Sequence, residues 1–233
     1  MEIQEFEALI LKELKAVVLT ILKSHPEPNI SAKSRAGAEI SSLLEEEFVA
    51  KTIKHPYFGK SLASPPGATK NPWDAKTHFC FKGHEEVLWI DFKAVKVSSA
   101  GSNPDIGTPD KIIDLINSGF FYLVYVFVYY EETKNGLKFV NNQDHELIIL
   151  YFLKDINSHF RRNPKNQLQV NISDKPEKRT REEFINILFE KIEQSHKRQI
   201  EISRKALESI EKGDVKAKLL EINKQSEEKI NKL

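Results

Sequence analysis

The stretch Glu86-Val-Leu-Trp-Ile-Asp-Phe-Lys-Ala-Val-Lys96 decides the fold of this chain, because it is apolar enough to form a central β-strand and still carries charge. Side chains alternate between the two faces of a strand, so Asp91 and Lys93 project from one side. Ile90, Phe92 and Ala94 project from the other side. The pattern therefore predicts a strand with one face in a hydrophobic core and one face available for chemistry.

Helices are predicted before this strand. Apolar residues at three- and four-residue steps indicate one amphipathic helix over about 2–23 and a second over about 34–51. Pro56, Gly59 and Ser64-Pro-Pro-Gly67 then favour a loop. Strands are expected near 77–81 and 87–97, joined as a β-hairpin by a turn at 82–85.

The chain after this hairpin continues the alternation of strand and helix. Thr108-Pro-Asp110 is typical of a helix start, and we expect a short helix from there to Gly119. Strands near 120–130 and 146–153 follow. This order predicts an α/β fold with a mixed central sheet flanked by helices.

A change of composition at about Thr180 suggests a second domain. From there the sequence is highly charged and helical, with a break at Gly213-Asp214 and a thin apolar stripe. We therefore predict a core over residues 1–179 and a C-terminal helical hairpin over 180–233.

Bulk composition excludes several classes of protein. The 233 residues carry a net charge of only +1, so overall charge does not announce a nucleic-acid partner. The single cysteine, Cys80, excludes an internal disulfide and favours a reducing compartment. The acidic N-terminus is unlike an export signal, and the apolar run Phe120–Tyr130 is too short for a membrane helix. We expect a cytoplasmic protein with no membrane partner.

The two acids Asp74 and Asp91 form a candidate metal site with Lys93. Sixteen residues separate the two aspartates, which the predicted hairpin would bring together. Mg²⁺ prefers oxygen ligands and usually binds through one or two carboxylates. A lysine two residues beyond the second acid can orient or deprotonate water and offset charge on a phosphate. The opposing interpretation is an exposed ion pair on a solvated strand, which the apolar neighbours of Asp91 disfavour.

Pro72-Trp-Asp74 followed by Asp91-Phe-Lys93 resembles the motif of the PD-(D/E)xK nucleases, in the form with Asp as second acid. The proline of that family normally abuts the first aspartate, whereas here Trp73 intervenes. Ser34-Arg-Ala-Gly-Ala-Glu39 is similar to the helix start of many type II restriction endonucleases, in which a helical glutamate faces the metal. The resemblance thus implies a catalytic role for Glu39, although Glu45, Glu46 and Glu47 compete with it.

Two further stretches, Asn71-Pro-Trp-Asp-Ala75 and Ser102-Asn-Pro-Asp-Ile-Gly107, resemble the SwaI-type cutters of long A/T-only palindromes. The resemblance implies a type II restriction endonuclease that hydrolyses double-stranded DNA with Mg²⁺. A two-fold homodimer would present one active site to each strand of a palindrome. The C-terminal hairpin over 180–233 would then serve either dimerisation or embracing the DNA.

Two segments are candidates for DNA contact. One follows the catalytic strand and is rich in small polar groups, and the other lies in the basic stretch 154–181, which contains eight Lys or Arg and three acids. A solvated loop is the alternative for both. The candidate DNA-binding residues are Ser98, Ser99, Ser102, Asn103, Arg161, Arg162 and Lys165.

Two other functions stay open from the sequence alone. A repair or junction-resolving nuclease would share the site and prefer branched or damaged DNA. A non-catalytic DNA-binding or scaffold protein would depend on the charged C-terminal helices, with Asp91 and Lys93 as a surface pair.

Overall fold

The computed structural model describes most of the chain. The described residues are 2–30, 36–65, 73–99, 104–119, 121–134, 136–163, 167–172 and 174–231. The helices are α1 (Ile3–Ser24), α2 (Ala36–Thr52), α3 (Pro109–Asn117), α4 (Arg181–Glu211) and α5 (Asp214–Ile230). The strands are β1 (Phe58–Ala63), β2 (Ala75–Phe81), β3 (His84–Lys96), β4 (Tyr122–Thr133), β5 (Gly136–Phe139), β6 (Ile148–Phe152), β7 (Arg161–Arg162) and β8 (Leu168–Gln169).

Residues 86–96 belong to β3, which lies in the middle of a six-stranded mixed sheet. The strand order is β1-β2-β3-β4-β5, and β6 also pairs with β4. β2 and β3 form the expected antiparallel hairpin. Its tight turn places Lys82 and Gly83 at positive φ, as a two-residue turn of the I′ type requires. β3 and β4 are parallel, and the connection between them contains α3.

The two faces of the sheet are covered by different elements. α1 and α2 pack their apolar stripes on the face that carries Ile90 and Phe92, and this side forms the main hydrophobic core. On the opposite face, α3 and Trp89 line one small cavity together with Leu123 and Phe184. β4 is buried on both faces over its first nine residues, as expected for a strand beneath helices on both sides.

The α/β architecture with a mixed sheet flanked by helices is confirmed. Four of the strands were not predicted from the sequence. β1 lies where a loop was predicted, and it is an irregular edge strand with a register shift after Gly59 and a positive φ at Lys60. β5, β7 and β8 span only two to four residues each, too short to show a period of two.

The chain divides into two compact units, residues 1–187 and 188–233, and the division falls within α4. α4 begins with a capping box, in which Thr180 and Glu183 satisfy each other's backbone N–H groups. The second unit contains the rest of α4 and α5, separated at Gly213. Many of its large apolar side chains are more than half exposed to solvent, among them Ile200, Leu207, Ile210, Val215, Leu219 and Ile222. In the part of the chain that the structure describes, every helix is too short or too polar to cross a membrane.

A buried ionic network joins α1 to the segment that follows β6. The ammonium group of Lys154 is only 4% exposed and contacts Glu7 Oε2 at 3.0 Å and Asp155 Oδ1 at 2.8 Å. It also donates to the carbonyl oxygen of Arg179 at 2.6 Å, and Glu7 accepts a hydrogen bond from the Tyr122 hydroxyl. A buried charge is tolerated only when it is paired and hydrogen-bonded, and Lys154 meets both conditions.

We expect Lys154→Ala to lower the free energy of unfolding by about 3–5 kcal/mol, because it leaves two carboxylates buried without their cation. The matched control is Lys15→Ala, which removes an ion pair to Glu146 whose lysine side chain is 41% exposed. The control should cost less than about 1 kcal/mol. Urea denaturation followed by tryptophan fluorescence reports on the first unit, since both Trp73 and Trp89 lie there. Equal losses in the two variants would contradict the structural role given to the network.

Candidate active site

β3 positions Asp91 and Lys93 as the alternation of the strand predicts. Asp91 lies beside Tyr125 and Lys93 beside Phe127 in the parallel register with β4. The Lys93 ammonium group is 2.9 Å from Asp91 Oδ1. Asp91 is only 6% exposed, so Asp91 and Lys93 are not an ion pair on a solvated strand, which was the opposing interpretation.

Asp74 lies next to Asp91 because it immediately precedes β2, whose first residue, Ala75, pairs with Ile90. The Asp74 backbone N–H donates to the Ile90 carbonyl at 2.8 Å. Its carboxylate oxygen Oδ2 accepts hydrogen bonds from the Phe92 backbone N–H at 2.7 Å and the Ser41 hydroxyl at 2.8 Å. These bonds aim Asp74 at β3, and the structure brings together the two acids and the lysine that the sequence singled out.

The proximity of two acids changes how Asp91 ionises. Burial, together with the neighbouring Asp74 charge and a hydrogen bond between the two carboxyl groups, raises the pKa of Asp91 to about 7, although Lys93 acts in the opposite direction. Two adjacent carboxylates without a cation repel each other, so one of them tends to keep its proton. A cation placed between them would remove that repulsion.

α2 contributes two residues that sequence reasoning did not assign to the site. Ser41 donates to Asp74, and Glu45 lies one turn further along the same helix face. Burial and the Asp74 charge raise the pKa of Glu45 to about 7, which identifies it as a neighbour of the acid pair. The signal in the sequence was their spacing of four residues beside the apolar stripe of α2.

Glu39 does not reach this cluster. It precedes Ser41 by two residues, and two helical residues correspond to a rotation of about 200° around the axis. Among the described residues, no hydrogen bond or ion pair joins Glu39 to Asp74, Asp91 or Lys93. A catalytic role for Glu39 therefore stays a prediction of the resemblance, and Glu45 of the same helix is a second candidate.

Trp73 accounts for the departure from the proline-aspartate pattern. Its ring packs against Trp89, with ring centroids 4.7 Å apart. Trp89 lies two residues before Asp91 on β3 and therefore shares its face. Trp73 thus helps to anchor the start of β2 next to the acid pair.

The candidate DNA-binding residues have mixed placements. Ser98 is exposed in the short turn after β3, and Ser99 ends that turn. Ser102, Asn103 and Lys165 lie outside the described residues. Arg161 is exposed on β7.

Two predictions require correction: that Arg162 contacts DNA, and that the whole stretch 154–181 offers basic side chains to DNA. Arg162 is buried beneath β7, because successive residues of a strand point to opposite sides, and it is not available to DNA. Lys154 and Arg179 are also engaged within the protein, Lys154 with Glu7 and Arg179 with Glu177 and the Ile156 carbonyl. Only part of the positive charge in this stretch therefore faces solvent.

The chemistry of the donor set suits a hard divalent cation. Asp74 and Asp91 offer carboxylate oxygens from one small region, and Mg²⁺ commonly binds through two carboxylates with water and substrate phosphate completing its shell. Over the described ranges, no group of three or more His, Cys, Asp or Glu side chains is arranged to hold a metal by itself. Asp74 and Asp91 are the residues that could hold such a cation, with water and a substrate phosphate as its other ligands.

The match to a family model indicates a nuclease independently of the site geometry. A family model described as "SwaI-like: SwaI restriction endonuclease" matches residues 2–210. Among solved structures, the NlaIV restriction endonuclease is similar over 83% of this chain and 80% of its own, with 15% sequence identity and a TM-score of 0.46. None of the curated proteins matches the chain.

The raised pKa of Asp91 predicts a pH-dependent stability in the absence of metal. A carboxyl group whose folded-state pKa lies above its ordinary value of 3.8 holds its proton in the folded protein while the unfolded chain releases it. Stability from this group is therefore present at low pH and lost as the pH rises from about 4 to about 7.

Asp91→Asn should reduce this pH dependence, and the part that comes from Glu45 should remain. In EDTA the variant should be more stable than the wild type by a few kcal/mol at pH 7.5, with the advantage gone by pH 4. Urea denaturation at a series of pH values measures the effect. Asp144→Asn, at an exposed loop position, is the control and should follow the wild type. A wild-type profile that is flat from pH 4 to 7 would show that Asp91 is not perturbed in this way.

Proposed function

The chain belongs to the SwaI-like restriction endonuclease family, and we propose on this basis that it is a type II, Mg²⁺-dependent endonuclease that cuts a specific, palindromic site in double-stranded DNA. Family membership supports an endonuclease acting on DNA. The observation that supports the metal-dependent chemistry is the pairing of Asp74 with Asp91, next to the Lys93 ammonium group.

Each residue of the proposed site has a defined task. Asp74 and Asp91 would hold the cation, and Ser41 together with the Phe92 N–H fixes the orientation of Asp74. The bound cation supplies activation of water and neutralisation of charge on the phosphoryl oxygens. Lys93 Nζ places a positive charge beside the scissile phosphate and orients the attacking water, whose oxygen replaces one ester oxygen at phosphorus. Burial of Asp91 strengthens these electrostatic interactions.

Contact with DNA requires groups outside the catalytic centre. We assign Arg161, which is exposed, to a phosphate contact. Ser98 and Ser99, directly after the catalytic strand, are proposed to approach the DNA with Ser102, Asn103 and Lys165, as their sequence positions suggest.

A homodimer is the proposed working assembly, because a palindrome offers two equivalent strands to two active sites. The exposed apolar side chains of residues 188–233 are consistent with a surface that a second copy covers, since large apolar patches on soluble proteins mark interaction sites. We place the enzyme in the cytoplasm, where its DNA substrate and the reduced state of Cys80 are both accommodated.

Asp91→Ala and Lys93→Ala should each reduce cleavage at least a hundredfold while DNA binding in EDTA is retained, because the loss falls on the chemical step. Digestion of a plasmid of known sequence with Mg²⁺, followed by mapping of the ends, measures activity and specificity together. Lys96→Ala is the matched control, since this lysine is on the same strand but is paired with Glu132. EDTA should abolish wild-type cleavage. Full-rate cleavage by either site variant, or in excess EDTA, would refute the proposal.

A four-way junction tested beside the linear plasmid distinguishes restriction from junction resolution. Preferential cutting of the junction would favour a repair or resolving nuclease with the same site.

Glu45 and Glu39 offer a matched pair that tests which glutamate of α2 serves the site. Glu45→Gln should lower cleavage by about 10- to 100-fold, as expected when a group supporting a metal-binding carboxylate is changed. Glu39→Gln should remain within about twofold of the wild type. The comparison is made by initial rates over a range of Mg²⁺ concentrations, where a supporting role for Glu45 raises the concentration needed for half-maximal rate. A larger loss for Glu39→Gln would restore the assignment made from sequence.

A further inference from the structure

The short ribbon formed by β7 and β8 has two chemically different faces. Phe160, Leu168, Val170 and Ile172 are buried on one side, as is Arg162. The intervening residues on the other side are Arg161, Gln169 and Asn171. The apolar face of the ribbon thus packs against the protein, and the opposite face presents amide and guanidinium groups.

This polar face borders a cleft of about 290 Å³ that is lined by polar and charged side chains, namely His159, Arg161, Gln169, Asn171 and Asp174. Arg161 and Gln169 are directly opposite each other in the antiparallel register. Side chains at such paired positions are within about 5 Å of each other at Cβ, so they can contact one ligand together.

Asp105 fixes the orientation of the Gln169 amide. Asp105 Oδ1 accepts a hydrogen bond from Gln169 Nε2 at 2.8 Å and from Asn163 Nδ2 at 3.2 Å. The nitrogen of the Gln169 side chain therefore points towards Asp105. Its carbonyl oxygen and the second N–H remain directed elsewhere, as an acceptor and a donor held side by side.

The ribbon is also attached to the catalytic side of the sheet. Ile106 N donates to the Leu168 carbonyl and Leu168 N donates to the Gly107 carbonyl, both at 2.8 Å, so residues 105–107 extend the ribbon. The Tyr125 hydroxyl donates to the Ile106 carbonyl. Since Tyr125 lies beside Asp91 in the β3–β4 register, the ribbon is anchored on the face that carries the catalytic acid.

We infer that Gln169 recognises an adenine through its major-groove edge, and that Asp105 is its positioning residue. This inference rests on the proposed function. A glutamine amide matches adenine because its oxygen accepts from the N6 amino group while its N–H donates to N7, and a two-stranded ribbon is narrow enough to enter the major groove. Arg161, across the ribbon, contacts the phosphate backbone.

The carboxylate of Asp105 favours a base edge over a phosphate as the partner of Gln169. The cleft carries charge of both signs, since Arg161 and Asp174 both line it, but Asp105 is 2.8 Å from the amide nitrogen of Gln169 itself. Negative charge at this distance disfavours an anion next to Gln169, whereas the edge of a base pair is neutral.

The experiment uses the full-length protein and the duplex it cleaves, identified by end mapping. Each adenine of the site is replaced in turn by 7-deazaadenine, which lacks the N7 acceptor, and affinity is measured in EDTA for the wild type and Gln169→Ala. At one adenine of each half-site the wild type should lose roughly ten- to a hundredfold in affinity. The affinity of Gln169→Ala should not change when that adenine is replaced. At every other adenine the replacement should change its affinity as it does for the wild type.

Three further variants separate the roles. Gln143→Ala, at an exposed loop position, removes the same amide and should behave as the wild type. Asp105→Ala should reduce discrimination at the adenine that Gln169 contacts and at no other position, as expected of a positioning residue. Arg161→Ala should weaken binding to all duplexes and lower the slope of log affinity against log salt by about one.

Retention of the wild-type response to 7-deazaadenine by Gln169→Ala would overturn the inference, and so would an equal loss of affinity for every duplex. If Gln169→Ala fails to fold, Gln169→Met keeps the side-chain length, lacks both hydrogen-bonding groups and is judged by the same responses. A wild type that cleaves no DNA would contradict the proposed function itself, whereas a wild type that cuts a specific site, with Gln169→Ala unchanged, contradicts only the assignment of Gln169.

Discussion

The hydrogen bond from the Phe92 backbone N–H to Asp74 Oδ2, 2.7 Å long, is the constraint on which the site depends. It ties a residue at the start of one strand to the middle of its neighbour, and it holds two acids closer together than their charges favour. The hydrophobic core provides the required rigidity, because Phe92 itself is buried between β3 and the α1–α2 layer. The same residue thus packs with its side chain and positions the proposed metal-binding acid, Asp74, with its backbone.

Electrostatic strain at the acid pair is consistent with the chemistry proposed for it. Burial, and to a smaller extent the neighbouring Asp74 charge, raises the pKa of Asp91 to about 7, which lowers the stability of the fold at neutral pH when no cation is present. Relief of the repulsion between the two acids would contribute to binding of the proposed cation. The Lys93 ammonium group offsets only part of the negative charge of the two carboxylates. A divalent ion, with a substrate phosphate beside it, would balance the remainder.

The sequence allowed prediction of those parts of the fold that have a long and regular pattern. β3, α1 and α2 were identified because burial of one face imposes a period on ten or more residues, and β4 was identified because burial of both faces produces a long apolar run. β1 and the β7–β8 ribbon were not, since strands of this length or irregularity obtain their pairing from tertiary contacts. The same distinction applies to the site. Asp91 and Lys93 could be predicted together because side chains alternate along a strand. The choice between Glu39 and Glu45 depends on how α2 is rotated about its axis relative to the sheet, and the run of glutamates in the sequence does not determine that rotation.

Burial also decides which residues of the basic stretch 154–181 can face a DNA surface. Within residues 154–181, Lys154 and Arg162 are buried, and Arg179 is bonded to backbone carbonyls. The ionic network fixes the segment after β6 to α1, and the apolar face of the ribbon fixes β7 and β8 to the core. Only a segment anchored in this way can hold Gln169 and Arg161 at defined positions. Several of the cations in this stretch thus contribute rigidity, and rigidity is what a side chain needs to discriminate one base edge from another.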